Sequence, residues 1–386
     1  KKYSHLKPML SLNNGFSIND IKEFIKRSKK FLSINDNSLL ELVCEPKIDG
    51  LSISLTYQNG ILINAVTRGD GNNGEIVTSN IKTIIDIPLK LKKEFPELIE
   101  IRGEIFMNKQ SFTELNKIQI DIGKPQFANP RNAAAGSIRQ KNINILKDRK
   151  LNFYAYTIGE ASPKFTFDTQ YNLLKKLKKW GFIINEEITK VDNILQIKEF
   201  YNMVLKKRDS LNYEIDGLVY KINKKDYQDR LGFQARAPRW AIAHKFPPEI
   251  AESILMDIEI QVGRTGALTP VGKLQKTKVG GVYISNVTLH NEDEIFRKDI
   301  RIGDTVQIQR AGDVIPQIVK VIKEKRPITT KKYIPSEFCP SCNNRTYKNI
   351  NEAIRRCTSG VNCPSQAIEK FKHFVSKNAK RRLKNR

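Results

Sequence analysis

Cys44-Glu45-Pro46-Lys47-Ile48-Asp49-Gly50, followed at once by Leu51-Ser52-Ile53-Ser54-Leu55-Thr56-Tyr57, is the stretch whose reading decides the fold. Residues two apart on a strand share a face, so an extended chain points Glu45, Lys47 and Asp49 the same way, and Gly50 permits a turn. The following run alternates Leu51, Ile53, Leu55 and Tyr57 with Ser52, Ser54 and Thr56, the period of a half-buried strand. Together these put the polar triplet at the edge of a sheet, with one lysine between two carboxylates. A lysine is a nucleophile only as the free amine, which burial and neighbouring cations favour and flanking carboxylates oppose. Chemistry at Lys47 therefore requires cations from elsewhere in the chain, or a metal on the carboxylates. Without them it is a surface lysine paired with acids.

Working outward, the Gln58-Asn59-Gly60 turn joins the strand to a second one over 61–67, so that Arg68 returns toward Lys47. The glycine-rich residues 69–74 read either as a tight loop or as backbone able to approach a phosphate. A strand over 99–107 sets Arg102 and Glu104 on one face. Residues 129–139 join a proline turn to small residues, with Arg131 and Arg139 at the ends suited to phosphate. Strand alternation resumes over 151–157. The 214–221 strand carries Asp216 near its start and Lys221 at its end, and 240–246 adds Lys245 before Pro247-Pro248, where regular structure should stop. Lys221 and Lys245 are the further cations that the nucleophile requires, while His244 reads as structural. Residues 8–14, with Ser11 and Leu12, either touch a ligand or lead into a helix that has a capping residue within 17–20 and an apolar spacing at Ile21, Phe24, Ile25 and Phe31. Helices over 169–180 and 194–205 read as scaffold.

The 386 residues are enough for two or three domains, and 39% hydrophobic content supports packed cores rather than a disordered chain. A formal net charge of +26 points to a polyanionic partner such as nucleic acid. No apolar run approaches the ~20 residues of a membrane helix, and the start of the sequence has no secretory apolar region. Past Pro248 the pattern becomes short strands over 254–264, 272–279, 282–289, 304–310 and 318–322, which suggests a small barrel of the OB type, with Arg264 and Arg310 as phosphate candidates or solvated surface. Residues 323–336 read as a linker. Cys339-Pro340-Ser341-Cys342, then Cys357 and Cys363, give the knuckle and second pair of a four-sulfur zinc site, closed and noncatalytic because no ligand position is left for water. With Cys44 alone, this usage fits a reducing compartment.

These blocks, in this order, closely resemble the bacterial NAD-dependent DNA ligases. Lys47-Ile48-Asp49-Gly50 looks like the nucleophile motif of that family. The segments 8–14, 68–74, 102–104, 129–139, 216–221, 240–246, 263–266, 285–291 and 310–316 are similar to its further blocks. The 129–139 block and the four cysteines separate it from ATP-dependent ligases and capping enzymes. The resemblance implies an α+β multidomain chain: a nucleotidyltransferase (adenylation) domain over 1–247, an OB-fold domain over 248–325, a linker and four-cysteine zinc module over 326–366, and a basic tail over 367–386 that begins a helix-hairpin-helix domain. It implies a monomer of the bacterial cytoplasm and nucleoid, serving DNA replication and repair, that encircles nicked double-stranded DNA away from any membrane.

On this resemblance, Lys47 takes AMP from NAD and passes it to the 5′-phosphate at a nick, which the 3′-hydroxyl then seals. Asp49 and Asp216 support the site. Glu45, Ser11 and Leu12 hold adenine, Arg68 and Glu104 contact the nucleotide, and Lys221 and Lys245 its phosphate, with Mg²⁺ (or Mn²⁺) as cofactor and Zn²⁺ on Cys339, Cys342, Cys357 and Cys363. Arg131, Arg139, Arg208, Arg264 and Arg310 hold DNA phosphates, and Val314 and Ile315 pack in the minor groove. Family members carry a domain for the nicotinamide half of NAD before residues 8–14, and helix-hairpin-helix and BRCT domains after the cysteines. A chain without the first is expected not to adenylate itself from NAD, yet to seal a nick already bearing 5′-AMP. The competing readings are a nick-binding clamp without NAD turnover and a nucleotidyltransferase that uses ATP or GTP.

Overall fold

The lysine strand, Leu42–Ile48, is paired on both sides. In its five-stranded sheet the order is Asn13–Gly15, Ala241–Lys245, Ile215–Ile222, Leu42–Ile48, Thr189–Val191. The polar triplet is thus not on a sheet edge, as the alternation alone suggests. The partner Thr189–Val191 reaches only as far as Cys44, which leaves the Lys47 end free on that side. At Asp49-Gly50 the chain crosses to a second, four-stranded sheet ordered Ile61–Thr67, Leu51–Gln58, Leu98–Met107, Leu151–Ala161. Glycine is required at the crossing because a Cβ at Gly50 would lie 2.2 Å from the Ile105 carbonyl oxygen. The computed structural model describes residues 2–140, 142, 145–146, 149–235, 237–279, 282–311, 315–349 and 352–375.

Each sheet buries its own core. One gathers Ile53, Leu55, Tyr57, Ile99, Ile101, Phe153 and Leu173, and the other Ile21, Phe24, Leu42, Ile197, Phe200, Leu218 and Tyr220. The first helix is Ile18–Leu32, and its capping box pairs Ser17 and Asp20 across the open backbone groups. Asn59 and Gly60, at φ 49° and 75°, make the two-residue turn that the sequence pattern implies between 58 and 61. Two helices depart from the sequence reading. Lys109–Asp121 has no counterpart in it, and the small-residue stretch after Pro130 is the helix Pro130–Ile138, capped by the Asn129 side chain at 2.7 Å from the Asn132 amide. His244 is buried, with Nδ1 3.1 Å from the Tyr220 hydroxyl and its ring stacked on Tyr201.

Residues 1–247 and 248–386 form two compact units. In the second, Ile250–Val262, Leu268–Val279, Val282–Thr288, Ile315–Val321 and Thr305–Ala311 close a five-stranded barrel in that spatial order. Its strands start and end a few residues from the bounds read off the sequence, because barrel closure extends pairing into turn-like segments. The helix Glu292–Lys298 carries acids in its first turn and bases in its last, as the helix dipole favours. No helix among the described residues is long and apolar enough to cross a membrane.

The segment after the barrel is tied down at its start. Arg326 Nη1 lies 2.6 Å from Asp299 Oδ2 and its Nε 2.7 Å from Asp304 Oδ1. Asp304 is fully buried, and the side-chain hydrogen bonds from Arg326 and Arg301 hold the Asp299 carboxyl down at about 2. Arg326→Ala leaves a buried carboxylate without its cation and is expected to destabilise this unit by about 3 kcal/mol, measured by calorimetry. Because the Asp299 value is depressed, its pair is fully present above the ordinary carboxylate range and is lost as pH falls toward 2. The stability gap between wild type and Arg326→Ala therefore narrows on acidification.

Candidate active site

Lys47, Gly217 and Lys245 lie side by side on three adjacent strands: Lys47 pairs with Gly217, and Gly217 with Lys245. The central position cannot carry a side chain, since a Cβ there would lie 2.3 Å from the His244 carbonyl oxygen. Just before it, the register shifts between Ile215 and Gly217. Such a bulge re-aims one side chain. Here it is Asp216, whose Oδ2 accepts from Lys47 Nζ at 3.1 Å and also from Lys245 Nζ. Asp216 is buried, and its Oδ1 has no hydrogen-bond partner.

A cavity of about 690 Å³ opens in front of this row. Ser11, Leu12, Glu45, Lys47, Arg68, Glu104, Arg131, Lys221 and Lys245 all line it. Glu45 and Lys221 sit diagonally across two paired strands and form a buried ion pair. Burial pushes the Glu45 carboxyl up, and the Lys221 charge pulls it back down. Asp49 lies past the strand's end, where Arg131 Nη1 contacts its Oδ1 at 2.7 Å. Lys221, Lys245 and Arg131 are therefore each matched to a carboxylate. The free ring of cations expected around Lys47 is instead an alternation, because charges withdrawn from water need partners. Four cations, Lys47, Lys221, Lys245 and Arg131, face three carboxylates, Glu45, Asp49 and Asp216. Arg68 and Glu104 line the same cavity outside these pairs.

Burial raises the Glu104 carboxyl to about 7, against the opposing pull of the Ser52 hydroxyl at 2.7 Å and the charges of Lys47 and Arg131. Sequence reasoning assigned no role to several wall residues, among them Ser52, Tyr156 and Trp240. The Tyr156 carbonyl accepts from Lys221 Nζ at 3.0 Å, and its ring lies 5.1 Å from that ammonium. Alternation over 151–157, with Tyr154 and Tyr156 opposite buried Phe153 and Ala155, was the available signal.

Other expected contacts fall elsewhere. Arg139 is exposed and pairs with Glu75 at 3.4 Å, and Arg208 caps the helix Ile194–Lys207 with its guanidinium over the Phe246 ring. In the second unit, Arg264 lies in the turn between the first two barrel strands. Arg310 and Ile315 are placed only by backbone, in facing barrel strands, and Val314 lies outside the described residues. Cys339, Cys342, Cys357 and Cys363 bring their sulfurs within 4.8 Å of one another. The module they form is joined to the barrel: the Cys357 amide donates to the Gly266 carbonyl at 2.8 Å, and Val262 and Leu268 pack on the cysteines.

The family model for the NAD-dependent DNA ligase adenylation domain matches residues 1–249, and that for the NAD-dependent DNA ligase OB-fold domain matches 252–330. The chain belongs to the NAD-dependent DNA ligase family. It is 51% identical over 391 residues to a DNA ligase of Bartonella tribocorum, covering 98% of this chain and 54% of that one. It is 52% identical over 377 residues to a DNA ligase of Afipia carboxidovorans, covering 97% and 53%. The chain thus spans about half the length of the curated relatives it matches. The four cysteines lie beyond both matched stretches.

Within this ligase fold the raised Glu104 carboxyl makes stability depend on pH. A raised acid costs stability once it ionises, so the folded state should weaken as pH climbs from the ordinary glutamate range through about 7. Glu104→Gln removes that charge. Its melting temperature should gain on wild type between pH 5 and pH 8, by the equivalent of roughly 1–3 kcal/mol at ~1.4 kcal/mol per pKa unit, discounted for partial exposure.

Proposed function

We propose that this chain is the catalytic core of a DNA ligase that seals nicks in duplex DNA through an adenylate carried on Lys47, with NAD as the AMP donor. The observation that carries the reading is the pair of lysines, Lys47 and Lys245, held on one buried carboxylate oxygen at the wall of a nucleotide-sized cavity. Lys47 Nζ attacks the α-phosphorus of NAD. A nitrogen–phosphorus bond forms, the bond from phosphorus to the oxygen of nicotinamide mononucleotide breaks, and Asp216 Oδ2 is the acceptor in reach of the amine's proton. A 5′-phosphate oxygen at the nick then displaces Lys47, which recovers its proton. Finally the 3′-hydroxyl attacks the 5′-phosphate phosphorus and AMP leaves.

The ammonium groups of Lys47, Lys221 and Lys245 at the cavity suit the negative charge that builds on the transferring phosphate. Lys221 and Lys245 would lie along that phosphate, Ser11, Leu12 and Glu45 beside adenine, and Arg68 and Glu104 beside the rest of the nucleotide. Mg²⁺ or Mn²⁺ bound with the substrate would neutralise phosphate charge, and the unpartnered Oδ1 of Asp216 suits a cation or its water. Arg139, Arg208, Arg264 and Arg310 are proposed DNA phosphate contacts, with Val314 and Ile315 at the minor groove.

Incubation with NAD or ATP, each labelled in its AMP half, tests the donor and the nucleophile together. Any labelled protein band is expected from NAD rather than ATP and is absent in Lys47→Ala, which keeps salt-sensitive binding to nicked DNA, while sealing of a nick already bearing 5′-AMP reads the later steps without the donor. Binding of nicked DNA by a protein that neither labels nor seals a pre-adenylated nick would favour a clamp without turnover.

The four sulfurs suit Zn²⁺. Tetrahedral ligation at ~2.3 Å spaces sulfurs roughly 3.8 Å apart, and Cys342 to Cys357 is 3.5 Å and Cys339 to Cys363 4.0 Å. Bound there, zinc would supply a structural crosslink. Elemental analysis should find one zinc per chain, lost in Cys357→Ser together with a lower melting temperature of the barrel unit.

A further inference from the structure

Residues 2–9 form a strap whose Lys7, Pro8 and Met9 line the cavity that the proposed function assigns to the nucleotide. Lys2–Ser4 pairs with Asn73–Glu75, the His5 amide donates to the Asn72 carbonyl at 2.9 Å, and the Met9 amide to the Gly71 carbonyl at 2.7 Å. Between these anchors the strap is caught by a side chain from the other sheet. Arg102 Nη1 donates to the Pro8 carbonyl at 3.0 Å and Nη2 to the Lys7 carbonyl. The guanidinium is itself held by Glu100, whose two carboxylate oxygens lie 3.2 and 3.3 Å from Nη2. Glu100 is fixed in turn by the Ser54 hydroxyl and by the Glu160 amide at 3.2 Å, with His5 Nδ1 at 3.9 Å. Both residues are buried. The facing strand leaves room for the pair with a glycine: a Cβ on Gly159 would stand 2.3 Å from Glu100 Oε2 and 2.7 Å from Arg102 Nη2.

We propose that Arg102, oriented by Glu100, is a positioning residue that clamps this strap so that Lys7 to Leu12 form a fixed wall for the nucleobase. Both terminal nitrogens donate to strap carbonyls, and Nη2 also to Glu100, while Nε has no partner, so its bonds run to the strap. Charge-assisted bonds to carbonyls in a buried site are strong and directional, which suits a clamp. The proposal rests on the nucleotide reading of the cavity for its ligand, but the clamp itself can be measured without one.

The test combines amide hydrogen exchange over residues 2–12 with calorimetric titration of adenosine and of AMP, on wild type, Arg102→Ala, Arg102→Lys and Gly159→Ala. Arg102→Ala is expected to speed exchange at the His5 and Met9 amides. It should weaken adenosine and AMP by the same factor, roughly ten- to a hundredfold, the scale of hydrogen bonds to a charged group. Lysine, which can donate but lacks the planar fork, should restore part of both. Gly159→Ala should reproduce the loss from the opposite strand without removing a polar group, and carries the test if Arg102→Ala fails to fold. Unchanged strap exchange in the variants overturns the clamp. Loss of AMP with adenosine unaffected overturns it in favour of a direct phosphate contact. A wild-type protein that binds neither compound overturns the nucleotide reading and the proposal with it, while exchange still reports on the strap.

Discussion

One carboxylate oxygen, Asp216 Oδ2, accepts from two lysines that arrive on strands either side of its own. Much of the first unit can be understood as the means of keeping that oxygen there. The bulge before Gly217 turns Asp216 toward the lysine row, and the missing side chain at Gly217 lets the strands on both sides close up. The burial of Asp216 denies it water, so that the two ammonium groups become its principal partners. A buried carboxylate shared in this way is tolerable only because it is over-supplied with donors.

The alternation of charge around Lys47 follows from the same constraint. A cluster of bare cations would repel itself apart in a half-buried cavity, so each incoming cation is brought with an acid: Lys221 with Glu45, Arg131 with Asp49, Lys245 with Asp216. The acids also fix geometry. Long lysine side chains lose rotamer freedom when held, and the pairing carboxylates hold them before any substrate arrives, which is the preorganisation that phosphoryl and nucleotidyl transfer exploit. Arg102 extends the pattern to the backbone, using its charge to hold a segment of chain where Lys47 and Lys245 hold an acid.

The second unit follows a different logic. Its barrel is closed by strand pairing around a core that includes Leu255, Val287, Val306 and Ile308, and the cysteine module is fastened to it through the turn after Val262, where Gly266 at φ 80° brings its backbone against Cys357. A side chain at that glycine would collide with the Cys357 carbonyl. Arg326 and its two aspartates secure the far end of the connecting segment. What reads in sequence as a linker is therefore anchored at its start by Arg326.

Short-range patterns in the sequence were enough to determine the strand that carries Lys47, the hairpin after it, the capped first helix, the barrel class of the second unit and the grouping of four cysteines. Period-two alternation, turn residues and a two-residue cysteine spacing are local signals, complete within a few residues. The tertiary structure alone decided that Asp216 serves two lysines, that Arg131 faces the cavity while Arg139 and Arg208 do not, and that Arg102 grips the chain's first residues. Those outcomes depend on cross-strand register, on one bulge, and on contacts between residues 29 to 169 positions apart. No periodicity encodes them, because register and bulge are set by how whole strands pack rather than by the identity of the residue that each brings into place.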